Sequence, residues 1–277
     1  MSPAQPVSNG HKRSRLLRLG ARTLDQMVTK LAARRGLVVM PKESVEARTA
    51  DFPQASKNLF EAVHPFTMTG IERVIALADA TRYICEAKIP GAIVECGVWR
   101  GGSMMATATT LLQCGPASRE LYLFDTFEGM SDPDDTVDID YRWRTVNDAL
   151  ERQRKMDSAR RQELALVAYC PLDLVKRNMA TTGYPADKIH YIKGLVEDTL
   201  PAHAPDQIAL LRLDTDWYQS TKHELVHLYP RVSPGGVIII DDYGHWQGSR
   251  KATDEYFAGT AVLLNRIDYS GRLILKR

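Results

Sequence analysis

Apolar and polar positions follow two rhythms along this chain. From Ala92 onward, short unbroken apolar runs alternate with stretches in helical spacing. The runs are Ala92–Cys96, Leu121–Asp125, Ile189–Ile192, Gln207–Leu213 and Val237–Ile240. Unbroken apolar runs of four to eight residues suit strands of a parallel sheet covered on both faces. Between and after them, Gly102–Gln113, Leu172–Thr181 (with Gly183 as its C-cap), Thr221–Tyr229 and Arg250–Phe257 read as helices. Repeated strand–helix units predict an α/β fold, a mostly parallel sheet with helices on both faces. Val262–Ile267 and Arg272–Leu275, around the turn Tyr269–Ser270–Gly271, predict an antiparallel hairpin at the sheet's edge. Ahead of the first strand, Met68–Ala87 is helical, with Ile71, Val74, Ile75, Ala78, Tyr83 and Ile84 on its apolar side.

Two stretches break this rhythm. Residues 1–45 form a basic arm, and 46–277 the main domain. Within the arm, Met1–Gly10 is polar and aperiodic, whereas Leu17, Leu24, Met27, Val28 and Leu31 recur near helical spacing. Gly36–Pro53 reads as linker and loop. His11–Arg35 carries eight lysines and arginines against the single acid Asp25. A basic amphipathic helix rests on an anionic membrane surface or a partner, or packs on its own domain with solvated cations. The second break is Thr126–Tyr169, which holds an acidic loop, Asp132–Asp140, and a charged helix near Asn147–Leu166. That length marks a lid or a surface insertion.

Composition adds limits. With 44% hydrophobic and 25% charged residues, the chain is of the soluble globular class. A formal charge of +2 gives no overall attraction to nucleic acid. Cys85, Cys96, Cys114 and Cys170 show no metal-ligand spacing, which favours a reducing, cytoplasmic setting. No apolar run reaches membrane-spanning length.

The chemistry gathers at strand ends. Leu210–Ser220 runs into Asp214 and Asp216, and Gly235–His245 runs into Asp241 and Asp242. Ligands of open α/β sheets bind outside the carboxyl ends of the strands. Four carboxylates converging there call for a positive partner, and oxygen-only donors favour a hard divalent cation such as magnesium. His245 and His223 are alternative bases. Trp217 and Tyr218 line the acceptor pocket or pack the top of the sheet, and Arg250 contacts substrate or is salt-bridged. The turn Glu95–Ser103 follows a strand and opens a helix, where nucleotides bind. It lacks the second glycine that a dinucleotide pyrophosphate needs, because Trp99 stands there, and it lacks the lysine of a P-loop. Asp125, ending the next strand, is placed for ribose hydroxyls, and Glu95 for a cationic amino group. Ribose with an amino acid describes S-adenosylmethionine. Asp-Thr-Asp also matches the DxD element of metal-dependent glycosyltransferases, and a binding-only domain is a further alternative.

ECGVWRGGS, LYLFDTFEGM, LRLDTDWYQST and SPGGVIIIDDY, in this order, resemble the macrocin- and mycinamicin-type O-methyltransferases over roughly Phe66–Phe257. The resemblance implies a Rossmann-like class I methyltransferase fold with an antiparallel edge strand. It implies a magnesium-dependent enzyme that uses S-adenosylmethionine to methylate a hydroxyl of a sugar or other natural-product or glycan acceptor. It further implies a homo-oligomer. By the same resemblance Glu95, Gly97, Trp99, Arg100, Gly101 and Ser103 surround the methionine part, Asp125 the ribose, and Thr67 and Met68 cover the cofactor. Asp214, Asp241 and Asp242 would hold Mg2+, with Asp216 as the base. The basic arm departs from the compact members of that family.

Overall fold

The computed structural model describes residues 47–147 and 168–277. Residues 47–52 belong to a first unit, of which a short turn is described. Pro53–Arg277 forms the second compact unit. The helix expected within the basic arm, and nearly all of the one near Asn147–Leu166, lie outside the described residues.

The second unit opens on α1 (Gln54–Val63), whose Leu59 and Val63 are buried. Sequence periodicity did not mark this helix, because only these positions and Phe60 give it an apolar stripe. Helix α2 (Ile71–Glu86) buries Val74, Ile75, Leu77, Ala78 and Ile84, as its helical spacing requires. Strand β1 (Ala92–Cys96) leads into α3 (Gly102–Cys114), and β2 (Leu121–Asp125) follows. Then come α4 (Leu172–Ala180), β3 (Ile189–Lys193) and the single turn α5 (Val196–Thr199). Strand β4 (Ile208–Leu213), α6 (Tyr218–Leu228), β5 (Val232–Ile240) and α7 (Gln247–Tyr256) carry the acids and their supports. The chain closes with β6 (Asn265–Arg266) and β7 (Arg272–Leu275).

These strands form one sheet in the order β3-β2-β1-β4-β5-β7-β6. The first five are parallel to their neighbours, and β7 runs antiparallel to both β5 and β6. The order reverses between β1 and β4, so a crevice opens above their carboxyl ends. Strand alternation divides the core. Ile93, Leu121, Leu123, Leu210 and Ile239 pack under α1, α2 and α3, while Val94, Phe124, Leu211, Leu213, Ile238 and Ile240 face the α6 side. The expected fold is therefore present, with its antiparallel pair at the edge. Strand β5 starts five residues earlier than its apolar run, at Val232, because Ser233–Gly236 carry it through an irregularity in its pairing with β4, where Gly235 takes φ of +77°.

The acidic loop after β2 is exposed at Asp132, Asp134 and Asp135 but packs down at Asp138 and Asp140, which are buried. Ile139 bridges Thr145, and Asp140 bridges Trp246, which makes residues 139–145 a small hairpin. Asp140 is its staple. Its carboxylate accepts the Arg142 and Arg144 backbone N–H groups at 2.8 and 3.0 Å and the Arg144 guanidinium at 2.7 Å. Val146 joins Trp217 and Trp246 in a minor core beside Met130.

Candidate active site

Backbone geometry explains why glycine stands where β1 ends. At Gly97 φ is +84°, and a Cβ there would lie 2.0 Å from the Asp214 carbonyl oxygen. The close approach is the β1–β4 pairing itself, continued by the Asp214 N–H bonding the Cys96 carbonyl at 2.9 Å. Gly101 enters α3 in left-handed backbone. Asp125 holds the turn from the side. It accepts the Val98 and Trp99 N–H groups at 2.7 and 2.9 Å on one oxygen and the Phe127 N–H at 2.6 Å on the other. Burial pushes this carboxyl up, against those hydrogen bonds. The Thr126 hydroxyl also lies 3.5 Å from the Phe127-side oxygen, but its one proton has the closer Gly129 carbonyl to go to, so a lone-pair position remains there.

Beneath the turn lies a buried cation that the sequence reading passed over. Arg212, 2% exposed within the otherwise apolar β4, donates to Asp214 at 2.7 Å, to Asp241 at 2.7 Å, to Thr69 at 2.9 Å and to Glu95. A second cation, Arg73 of α2, donates to the other oxygen of Asp241 and to Asp268 at 3.0 Å. Burial alone would raise Asp241, yet Arg212 and Arg73 outweigh it and hold its carboxyl below the usual range. Glu95 goes the other way: burial raises it to about 7 despite Arg212.

The remaining acids crowd one another. Asp214, Asp216 and Asp242 each bring an oxygen within 4.8 Å of the other two. Asp216 takes the left-handed backbone conformation, with φ of 68°, which aspartate adopts more readily than most side chains. Burial raises its carboxyl to about 7, helped by Asp214 and Asp241 and opposed by a hydrogen bond with Asp242. Burial and the neighbouring Asp216 and Asp241 push Asp242 up as well. Asp242 Oδ2 is buried without a partner. Asp138 supports this loop from outside, accepting the Tyr218 N–H at 2.8 Å where α6 begins.

The strand ends open on a cavity of about 330 Å³. Of the residues expected for cofactor and metal, Thr67, Met68, Gly97, Trp99, Ser103, Asp125, Asp214, Asp216, Asp241 and Asp242 line it. Glu95, Arg100 and Gly101 do not. Glu95 is turned into the ion pair with Arg212. Arg100 stacks on the Trp99 ring, and a Cβ on Gly101 would face Val175. His245 lines the cavity, whereas His223 lies against the Leu200 carbonyl and His227. Trp217 is buried against Trp246, the Tyr218 hydroxyl bonds Glu255, and Arg250 pairs with Asp254, so none of the three lines the cavity.

Some lining residues gave no signal or a faint one. Gly194–Glu197 extend the cavity past the end of β3, and Tyr269 and Ser270 enter it from the β6–β7 turn. A basic residue inside an apolar strand, as in Leu-Leu-Arg-Leu-Asp, was the one readable sign of Arg212.

A doubly wound sheet with this edge pair, a glycine turn without phosphate features and an acid at the end of β2 define a class I methyltransferase. Comparison with known proteins agrees. The profile of the macrocin-O-methyltransferase (TylF) family matches residues 18–274, and the chain belongs to that family. The match begins well inside the arm that the sequence had set apart. The chain is 33% identical over 207 residues to the 8-demethyl-8-(2,3-dimethoxy-alpha-L-rhamnosyl)-tetracenomycin-C 4'-O-methyltransferase of Streptomyces olivaceus, covering 74% of this chain and 73% of that one. It is 30% identical to the mycinamicin III 3''-O-methyltransferase of Micromonospora griseorubida, covering 69% of each. The solved O-methyltransferase NovP superposes with a TM-score of 0.62 at 31% identity, over 76% of this chain and 82% of that one. The protein is thus an S-adenosylmethionine-dependent O-methyltransferase, and the glycosyltransferase alternative falls. No helix among the described residues is long and apolar enough to cross a membrane.

Proposed function

We propose that this enzyme methylates a sugar hydroxyl of a glycosylated natural product, with a magnesium ion held by Asp214, Asp241 and Asp242 and with Asp216 as the base. The observation that carries it is the convergence of Asp214, Asp216 and Asp242 within 4.8 Å, in the cavity that also holds the Gly97–Ser103 turn and Asp125. Like charges this close need a cation or a proton between them, and the unpartnered Asp242 Oδ2 leaves a buried donor position open. All donors are carboxylate oxygens, which suits magnesium. Asp241 fits this set although both its oxygens accept from arginines. Each oxygen keeps a second lone pair, and ligating carboxylates are commonly hydrogen-bonded from behind.

When bound, the ion makes a hydroxyl easier to deprotonate. The chain's own residues do the rest. Asp216 accepts the acceptor's proton, a contribution of about 10²–10⁴-fold. The Gly97–Ser103 turn, Asp125 and the segment Thr67–Thr69, pinned by Arg212, hold the cofactor in place. Fixing both reactants contributes at least as much, since effective molarities reach about 10⁵ M or more. A sugar acceptor is supported by the relatives named for rhamnosyl and mycinamicin positions. The free thiols Cys85, Cys96, Cys114 and Cys170 support a reducing cytoplasmic setting.

The test is transfer of labelled methyl into matched glycosides and their aglycones, with magnesium and with a chelator. Transfer to glycosides that stops on chelation is expected. Undiminished transfer under chelation would remove the metal, and methylation of aglycones alone would remove the sugar.

A further inference from the structure

One buried acid stands apart from the cavity. Glu224 sits on the inner face of α6 with Ser220, Thr221, Leu225 and Leu228, and none of it reaches solvent. Its Oε1 accepts the Thr215 hydroxyl at 2.9 Å. Its Oε2 is also buried and has no partner among the described residues. Burial pushes the carboxyl well up, with the Thr215 bond opposing. An incompletely bonded polar group in such a place destabilises the fold, and a leucine beside Leu225 and Leu228 would not. A group retained against that cost, with a single partner, directs attention to the partner.

Thr215 lies between Asp214 and Asp216 and lines the cavity. Its carbonyl accepts the Trp217 N–H at 2.8 Å and, more weakly, the Ser220 hydroxyl at 3.4 Å. The first bond closes the chain over Asp216, whose φ is 68°. Aspartate tolerates a positive φ, but a γ-turn closed around one is the rare and strained form. Strain of this kind persists only where the surroundings hold the turn from both sides. On the far side Trp217 is buried against Trp246, and its indole N–H bonds the Ser131 carbonyl at 2.9 Å. On the near side the Asp214 N–H extends the sheet to the Cys96 carbonyl. Between them, the Thr215 side chain is tied to the fold through Glu224.

We infer that Glu224 is a positioning residue: through the Thr215 hydroxyl it holds the Asp214–Trp217 turn in the form that presents Asp216 to the acceptor, and so sets turnover. This rests on the reading of Asp216 as the base.

Replacing both ends of the bond by apolar side chains of similar shape, in Thr215→Val/Glu224→Leu, removes the tether with little loss of packing. The full-length double variant should melt no earlier than wild type and bind S-adenosylmethionine as tightly. Labelled methyl transfer, to the best acceptor among the glycosides and aglycones, should lose about 10–10²-fold in kcat, the scale of an ångström's misplacement. Amide hydrogen exchange should quicken at Trp217 and stay slow at Asp214, whose N–H belongs to the sheet. Glu224→Gln keeps an oxygen for the Thr215 hydroxyl and should retain most of the turnover. Wild-type kcat in the double variant overturns the inference. So does a kcat that falls only in step with melting temperature, or one that falls while the Trp217 amide exchanges as in wild type. Asp216→Asn reports separately: wild-type turnover there removes the base, whereas wild-type exchange at Trp217 in the double variant removes the hold on the turn, and neither result entails the other.

Discussion

Replacing Arg212 by methionine keeps a long apolar stem in β4 and removes the charge on which three carboxylates depend. Arg212 is 2% exposed, and it bonds Asp214 and Asp241 at 2.7 Å, besides Glu95 and Thr69. Each charge-assisted bond is worth about 1.5–3 kcal/mol, but bonds that share one cation do not add. The better measure is the cost of stranding a buried partner, about 3–5 kcal/mol. Near-complete burial leaves little solvent screening to discount it. For a unit of this size about 1 kcal/mol moves Tm by about 2–4 °C, so Arg212→Met should melt roughly 6–20 °C early. Urea denaturation at pH 7 should show the loss as a lower midpoint with an unchanged slope. Glu95→Gln/Arg212→Met should lose less than the sum of its single changes, with a coupling of about 0.5–3 kcal/mol. Magnesium should recover part of the deficit if it binds the folded acids. A single variant within about 1 kcal/mol of wild type would refute the idea that Arg212 neutralises the site.

Among the acids, Asp241→Asn should weaken magnesium binding in calorimetry and be partly rescued by excess metal, whereas Asp216→Asn should lower turnover with metal and cofactor affinity nearly unchanged. The reverse pattern would make Asp216 the third ligand, as the 4.8 Å grouping with Asp214 and Asp242 already allows. Burial holds the His245 imidazole below 6.5, with Asp140 opposing. Below that pH the unfolded chain binds a proton that the folded one refuses, so stability present at pH 7 falls as the pH drops. Nuclear magnetic resonance of the ring should show a midpoint under 6.5, and a midpoint above it would contradict the burial argument.

Much of the fold was legible because its strands are buried on both faces and so read as apolar runs. AIVEC, LYLFD and VIII needed no neighbour to be recognised, and the acids that end β4 and β5 followed from chain direction alone. The arginines were harder. Arg73 occupies an ordinary helical position, and nothing local reveals that Asp241, 168 positions away, lies opposite it. Asp125 shows the same limit: its place at the end of β2 was plain, but its bonds to the Val98 and Trp99 backbone are tertiary. Asp138 and Asp140 read only as members of an acidic loop, because a carboxylate that caps a backbone and one that faces water have the same letter.

The β6–β7 turn reaches the site from beyond the last parallel strand. Its Asp268 holds Arg73 across 195 positions, and its Ser270 hydroxyl bonds the Asp241 carbonyl at 2.7 Å. A ribosome that has delivered everything through Asp242 has supplied all five parallel strands and the acids that end them, yet Arg73 still lacks its second carboxylate, Asp268, and the loop after β5 lacks its brace. Competence is therefore acquired only once residues 268–271 emerge. A nascent chain can fold its sheet early, but it cannot present a finished cleft to cofactor or acceptor before then.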